Sequence, residues 1–295
     1  MDQIHLSPVL VTGATGRVGR VVIDRLLDAG VPVRALTHRS EAAATLPAEV
    51  EVFTGDLTVP QTLAPALNGA GAVFLVWTAP PQTAQAVVEQ LAAHVRRIVF
   101  LSSPHQTPHP FFQQPNSMAM LHADIERHIA ATGLESTIIR PGMFASNSLA
   151  WWAPAIRAGE VVRWPYGAAA SAPVDDRDVA AVAARTLHQD GHVGGDYVLT
   201  GPESLTQAAQ VGVIGDALGR RIAFEEMTPD EFRSLSEGSV PSSVADMLLA
   251  AWSAAVGQPA YITTAVADIL GTPPRTFHQW AADHATEFTE GPQGS

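Results

Sequence analysis

The sequence predicts an α/β fold, a doubly wound parallel sheet covered by helices on both faces, and three observations predict it. Short apolar runs alternate with helix-length segments through the first half of the chain. Those runs are continuously apolar, the pattern of strands buried on both faces. A glycine-rich turn joins the first run to the first helix, where such sheets open a ligand crevice.

The strands read at Val9–Thr12, Val31–Leu36, Val50–Thr54, Ala72–Val76, Ile98–Leu101 and Ser136–Arg140, with helical segments such as Arg17–Ala29 and Gln82–His94 between them. Strands that alternate with helices pair in parallel. The first strand runs into VLVTGATGRVGR, Val9–Arg20. Gly13, Gly16 and Gly19 let the backbone turn tightly and approach a pyrophosphate, while the helix behind them supplies free N–H groups and a partial positive charge. The second strand ends in Thr37, His38 and Arg39, with no carboxylate to hold ribose hydroxyls. Arg39, aided by Arg17 or Ser40, suits a ribose phosphate, so NADPH/NADP is expected over NADH. After the fifth strand, SSPHQTPHPFFQQP (Ser102–Pro115) is a long Pro-punctuated loop, a length that marks functional lids.

The pattern changes after Phe144. Helical segments dominate, broken by short strand candidates at Tyr197–Leu199 and Ile222–Glu226. The expected organisation is a Rossmann-type nucleotide-binding domain over residues 1–145 and a smaller, mostly helical substrate lobe over 146–288. Parts of that lobe, such as 173–190, should pack back on the first domain, and 289–295 should be a flexible tail. The two lobes should share a cleft at the carboxyl ends of the strands.

Composition narrows the function. Of 295 residues 46% are hydrophobic and 16% charged, which suits a large packed core. The net charge of -12 argues against nucleic acid as a partner. All 17 basic residues are Arg, so a mechanism that needs lysine is excluded. Without cysteine there is no thiolate nucleophile, disulfide or Cys-based zinc site. The N-terminus lacks the basic start and apolar stretch of a signal peptide, and no apolar run approaches the roughly 18–20 residues that span a bilayer. A cytoplasmic protein without membrane contact, monomer or homodimer, is expected. The eleven histidines show no metal-ligand spacing, and Asp175, Asp176 and Asp178 read as acids at a helix start. Arg96–Arg97 and Arg220–Arg221 read as solvated turn charges.

A family likeness appears when the motifs are taken together. TGATGRVG (Thr12–Gly19), GDL (Gly55–Leu57), LSS (Leu101–Ser103) and IIRPGMF (Ile138–Phe144) resemble the NmrA-like group of atypical short-chain dehydrogenases/reductases. The likeness continues through Pro173–Leu187, Gly194–Thr206, Ala217–Phe232 and Thr272–His284, so it spans about Pro8 to Phe288. It implies that Gly13, Thr15, Gly16, Arg17, Val18 and Gly19 hold the pyrophosphate, Arg39 the 2′-phosphate, and Asp56 and Leu57 the adenine. Trp77, Thr78 and Ala79 would line the nicotinamide ribose. Pro141, Gly142 and Phe144 would back the nicotinamide, and Ser102 and Ser103 fall where the family's active-site serine lies. His105, Met118, Phe144, Asn147, Trp151 and Trp152 would face the substrate.

One stretch departs from that pattern. Catalytic members of the family place Tyr and Lys four apart on the helix before IIRPG; in NSMAMLHADIE (Asn116–Glu126) those positions hold Met118 and His122. Methionine is no proton donor, so the proton comes from His122, from water ordered by Ser102 or Ser103, or from the substrate itself. His122 suits general acid work near neutral pH, or it binds ribose, or it packs. Phe111, Phe112, Phe144, Trp151, Trp152, Trp164 and Tyr166 suit a large flat substrate, or form ordinary core. The expected activity is NADPH-dependent reduction of a ketone or quinone on an aromatic, polyketide-type secondary metabolite, as in antibiotic biosynthesis. An NADP(H)-sensing regulator without turnover is the alternative, and a lyase or isomerase on the same fold is a third.

Overall fold

The computed structural model describes residues 7–38 and 44–290. In chain order the elements are β1 (Val9–Val11), α1 (Arg17–Asp28), β2 (Val33–Thr37), β3 (Glu51–Thr54), α2 (Ala64–Leu67), β4 (Ala72–Val76), α3 (Ala84–His94), β5 (Arg97–Leu101), α4 (Ser117–Ala130), β6 (Glu135–Pro141) and α5 (Asn147–Ala158). There follow β7 (Val162–Trp164), β8 (Ala170–Ser171), α6 (Asp176–His188), β9 (Asp196–Leu199), β10 (Leu205–Thr206), α7 (Gln207–Ala217), β11 (Phe224–Glu226), α8 (Pro229–Ser236), α9 (Ser242–Ala255), α10 (Ala265–Leu270) and α11 (Phe277–Asp283). They form two compact units. One is built from Met1–Ser103, Ser117–Pro141 and Asp176–Val198, the other from Pro104–Asn116, Gly142–Asp175 and Leu199–Ser295. A single cut near residue 145 therefore does not describe the division: the loop after β5 belongs to the second unit, and α6 returns to the first.

The first unit is a seven-stranded sheet in the order β3-β2-β1-β4-β5-β6-β9. Its pairs run parallel, with Val9 opposite both Val33 and Ala72, and Arg97 opposite Glu135. The strand order reverses between β1 and β4, the place where doubly wound sheets bind ligands. Helix α1 buries Val18, Gly19, Val22, Ile23 and Leu26 at helical spacing, and the Ala-rich α6 packs against it. The strand expected at Tyr197–Leu199 is the seventh strand of this sheet. The crossover through α6 brings it back beside β6, where the Ile138 amide donates to Gly195 O at 2.8 Å.

Arg97 also departs from expectation. Only 6% exposed, it donates to the carbonyls of Leu187 (3.3 Å) and Gln189 (2.9 Å) and pairs with Asp190 at 2.8 Å. It ties β5 to the end of α6, so it is a buried fastening and not a solvated charge.

The second unit centres on Trp152, Trp164, Trp252, Phe277, Trp280 and Phe288, all buried. Neighbouring rings meet mostly edge to face, for example Trp151 and Trp252 at 5.4 Å between centroids. Its strands are two-stranded ribbons, β7 parallel to β11 and β8 antiparallel to β10. Capping boxes start α8 (Thr228 with Glu231) and α11 (Thr276 with Gln279), a signal readable in sequence. Asp175 is buried and bound by Arg275 at 2.7 Å, so it is more than an acid at the start of α6. Of the expected tail, Thr289 and Glu290 hydrogen-bond back to Thr286, and 291–295 lie outside the described residues.

Candidate active site

The turn between β1 and α1 is built around its glycines. Gly13 has φ +60°, which favours glycine, and a Cβ there would lie 3.0 Å from Val76 Cβ. A Cβ on Gly19 would lie 2.2 Å from Gly13 O, so only glycine lets α1 sit this close to the turn. Gly16 caps the helix with no side-chain cap and no acid in the first turn. Thr15, Gly16 and Arg17 are exposed. Uncapped N–H groups at a positive helix end suit an anion, and the close glycine packing leaves the backbone accessible to a pyrophosphate. Thr12, which sequence reasoning passed over, holds this turn against β4. Its hydroxyl accepts from Val76 N at 2.7 Å and lies 3.2 and 3.1 Å from the carbonyls of Phe74 and Val76.

The ends of the next strands carry the other expected nucleotide contacts. Arg39 and Ser40, the expected phosphate grip, lie outside the described residues. After β3, Asp56 accepts from Thr58 N at 2.7 Å, and that backbone hydrogen bond holds its carboxyl below the usual range. Leu57 is buried beside it. After β4, the Trp77 indole donates to Ala79 O at 2.6 Å, which folds this segment on itself with Thr78 exposed.

At the end of β5 the two serines separate. Ser102 is buried and gives its only proton to Glu126 of α4. That hydrogen bond makes Ser102 part of a buried cluster. Glu126 is gripped by Arg140 of β6 at 2.7 and 2.9 Å, and Arg140 also reaches Asp196 (2.6 and 3.0 Å) and Ser103 O (2.9 Å). Burial pulls the Arg140 guanidinium down, but its hydrogen bonds to Asp196 and Glu126 outweigh that and hold its pKa above the ordinary value. One turn before Glu126, His122 is partly buried with its ring edge-on to Phe100 at 5.7 Å. Met118, in the first turn of α4, is 53% exposed.

The remaining expected residues lie on the second unit, except Pro141, which is buried at the end of β6. Phe144 bridges to Val174, and the Asn147 amide contacts Met143 Sδ at 2.9 Å. Trp152 is fully buried in the core and Trp151 packs against that core. The expectation that Trp152 faces a substrate is therefore replaced by a packing role. His105 is half-buried on the loop after β5. A cleft in this unit is lined by His109, Phe111, Phe112, Met143, Thr200 and Tyr261, with Gly142 at its edge. It holds about 10 Å³ of open space, room for one water, so a ligand must part the rings. Among the described residues no side-chain cluster is placed to hold a metal ion, and no helix is long and apolar enough to cross a membrane.

A strand–turn–helix cradle at the switch point of a parallel sheet, fitted to a pyrophosphate, defines a dinucleotide-binding protein. The family described as NAD(P)H-binding matches residues 13–190, and the chain belongs to it. The chain is 38% identical to the (4-alkanoyl-5-oxo-2,5-dihydrofuran-3-yl)methyl phosphate reductase of Streptomyces griseus, over 95% of this chain and 99% of that protein. It is 30% identical to the NAD(P)H azoreductase of Xenophilus azovorans, again over 95% and 99%. Among solved structures, an NADPH-dependent quinone oxidoreductase of Escherichia coli complexed with NADPH shares the fold. Its TM-score is 0.79 at 24% identity, over 96% of this chain and 100% of that one. The chain is an NAD(P)H-dependent oxidoreductase, and it shares its fold with the solved structure of NmrA.

Proposed function

We propose that this protein transfers hydride from NADPH to a conjugated, electron-poor acceptor, a quinone or a conjugated ketone of an aromatic secondary metabolite. The observation that carries the reading is on α4, where Met118 is exposed and His122 half-buried at the family's tyrosine and lysine positions. Without that pair, no strong donor waits for the oxygen of an isolated ketone. A conjugated acceptor spreads the developing negative charge over its own π system and needs less help from an acid. The two relatives point the same way, since an azo group and an alkanoyl-oxo-dihydrofuran are both conjugated electrophiles.

When bound, the dihydronicotinamide supplies the hydride. Addition of hydride places negative charge on the acceptor's oxygen, and one proton, from His122, from water near Ser103 or from a phenol on the acceptor, completes the reduction. His122 lies on α4 with its ring edge-on to Phe100 of β5, and Ser103 follows β5, which supports these two as candidates. The absence of a carboxylate at Thr37–Arg39 supports NADPH over NADH.

The test is turnover with NADPH deuterated at its transferable position against polycyclic quinones, enones and isolated ketones, read by mass spectrometry. Deuterium on a former carbonyl or enone carbon, or a hydroquinone formed without carbon label, supports the proposal. Faster reduction of isolated ketones than of conjugated ones refutes it.

A further inference from the structure

We propose that Arg140 is the positioning residue of the reaction centre, acting through Glu126 and Ser103 to fix α4 against the end of β5. The inference rests on reading His122 and Ser103 as walls of that centre. One guanidinium gathers four segments of the first unit. It grips Glu126 of α4 with two hydrogen bonds, binds Asp196 at the start of β9 with two more, holds the carbonyl of Ser103 after β5, and itself stands on β6. Ser102 closes the ring by donating to Glu126.

Charge compensation does not explain this arrangement. Arg140 is 3% exposed and one carboxylate would match its charge, yet two meet it: Asp196, 49% exposed on the edge strand, and Glu126, only 12% exposed. Burying Glu126 adds a desolvation cost of its own. Buried ion pairs are commonly matched or bettered in stability by apolar residues of similar volume. What Glu126 provides is direction, because a bidentate guanidinium–carboxylate contact fixes both planes. Helix α4 needs such a guide. Its fully buried residues are Ile125 and Ile129, towards its C-terminal half; Leu121 packs on the same core only partly buried, and Met118 and Met120 in its first turns are 53% and 74% exposed. His122 stands between the two halves, one turn from Glu126, so the Arg140 clamp decides where its ring lies over Phe100.

Misplacement of reacting groups by about 1 Å costs on the order of a hundredfold in rate. Lysine at 140 keeps the charge and loses the fork. The assay is steady-state reduction of 2-methyl-1,4-naphthoquinone by NADPH with Arg140→Lys, Glu126→Leu and Glu126→Gln, alongside NADPH affinity and urea unfolding. The expected result is a fall in kcat of at least tenfold for Arg140→Lys and Glu126→Leu, with NADPH affinity within twofold. Glu126→Gln, which keeps the shape and one of the two acceptors, should recover part of the loss. A drop in stability with kcat per folded molecule unchanged overturns the proposal, as does a Glu126→Gln variant no better than Glu126→Leu. If the wild-type protein leaves the quinone unreduced, the proposed function is in question instead, and the clamp is read by amide hydrogen exchange. Faster exchange in α4 but not in α3 of Arg140→Lys then supports it, and unchanged exchange overturns it. Should Arg140→Lys not fold, Glu126→Leu decides by the same readouts.

Discussion

Replacing Gly19 with alanine sets two effects of similar size against each other. In a helix interior alanine is favoured over glycine by about 0.5–1 kcal/mol. At Gly19, however, the added Cβ would lie 2.2 Å from Gly13 O, a backbone atom that no rotamer change can move. Helix α1 must retreat by about 1 Å to restore an ordinary contact. Overpacking of this kind costs about 1–3 kcal/mol, so the expected net change is a loss of about 1 kcal/mol. The retreat also draws the helix N-terminus from the pyrophosphate, and NADPH affinity should fall at least tenfold. Both effects are read by urea unfolding with and without NADPH. At a fixed concentration well above Kd, a tenfold loss of affinity removes about 1.4 kcal/mol of the ligand's stabilisation. Gly212 provides the contrast. It lies in α7, is exposed, and a Cβ there meets nothing within 4 Å. Gly212→Ala should therefore gain about 0.5–1 kcal/mol. A Gly19→Ala protein that is stabilised like Gly212→Ala and binds NADPH normally would refute the close-packing argument.

Ser102→Ala should lower kcat by less than threefold while costing about 1 kcal/mol of stability, because its proton serves Glu126. A loss of a hundredfold or more, the size seen when an oxyanion donor is removed, would return Ser102 to the catalytic set. His192 supplies a pH test. Burial, followed by Arg185 and Arg97, holds its pKa below the ordinary 6.5. The unfolded chain therefore binds a proton there more readily, so stability falls as pH drops through 6.5 towards the folded value and then levels off. His192→Gln should flatten the curve of unfolding free energy against pH over that interval; an unchanged slope would show that His192 does not contribute.

Local signals account for what was legible in the sequence. The six apolar runs and the three glycines lie within single segments, so periodicity and turn chemistry find them, and the structure moves their ends by only a residue or two. The missed features are contacts across long separations. Arg140 meets partners 14 and 56 residues away, and Arg97 closes on carbonyls 90 and 92 residues on. A signal was present in each case: an arginine inside or beside a continuously apolar strand cannot be solvated, because charged side chains are almost never fully buried unless paired. Its partner's identity was not written locally. Trp152 illustrates the converse. An aromatic pair reads the same whether it lines a mouth or fills a core, and only the surrounding Trp164, Trp252 and Phe232 decide for the core.

On the proposed reading, the cluster around Arg140 would also account for turnover by a reductase without the tyrosine–lysine pair. A positioned general acid contributes about 10²–10⁴ in rate, whereas correct placement of the reactants corresponds to effective molarities of about 10⁵–10⁸ M. The smaller factor is the one this chain gives up at Met118. The larger one depends on the glycine cradle, whose spacing at Gly19 admits no side chain, and on the walls that Arg140 holds at β5 and α4. Arginine stays charged throughout the pH range in which proteins fold. Substrates whose own conjugation takes up the charge follow from that division: the protein supplies geometry, and the acceptor supplies the stability of its reduced anion.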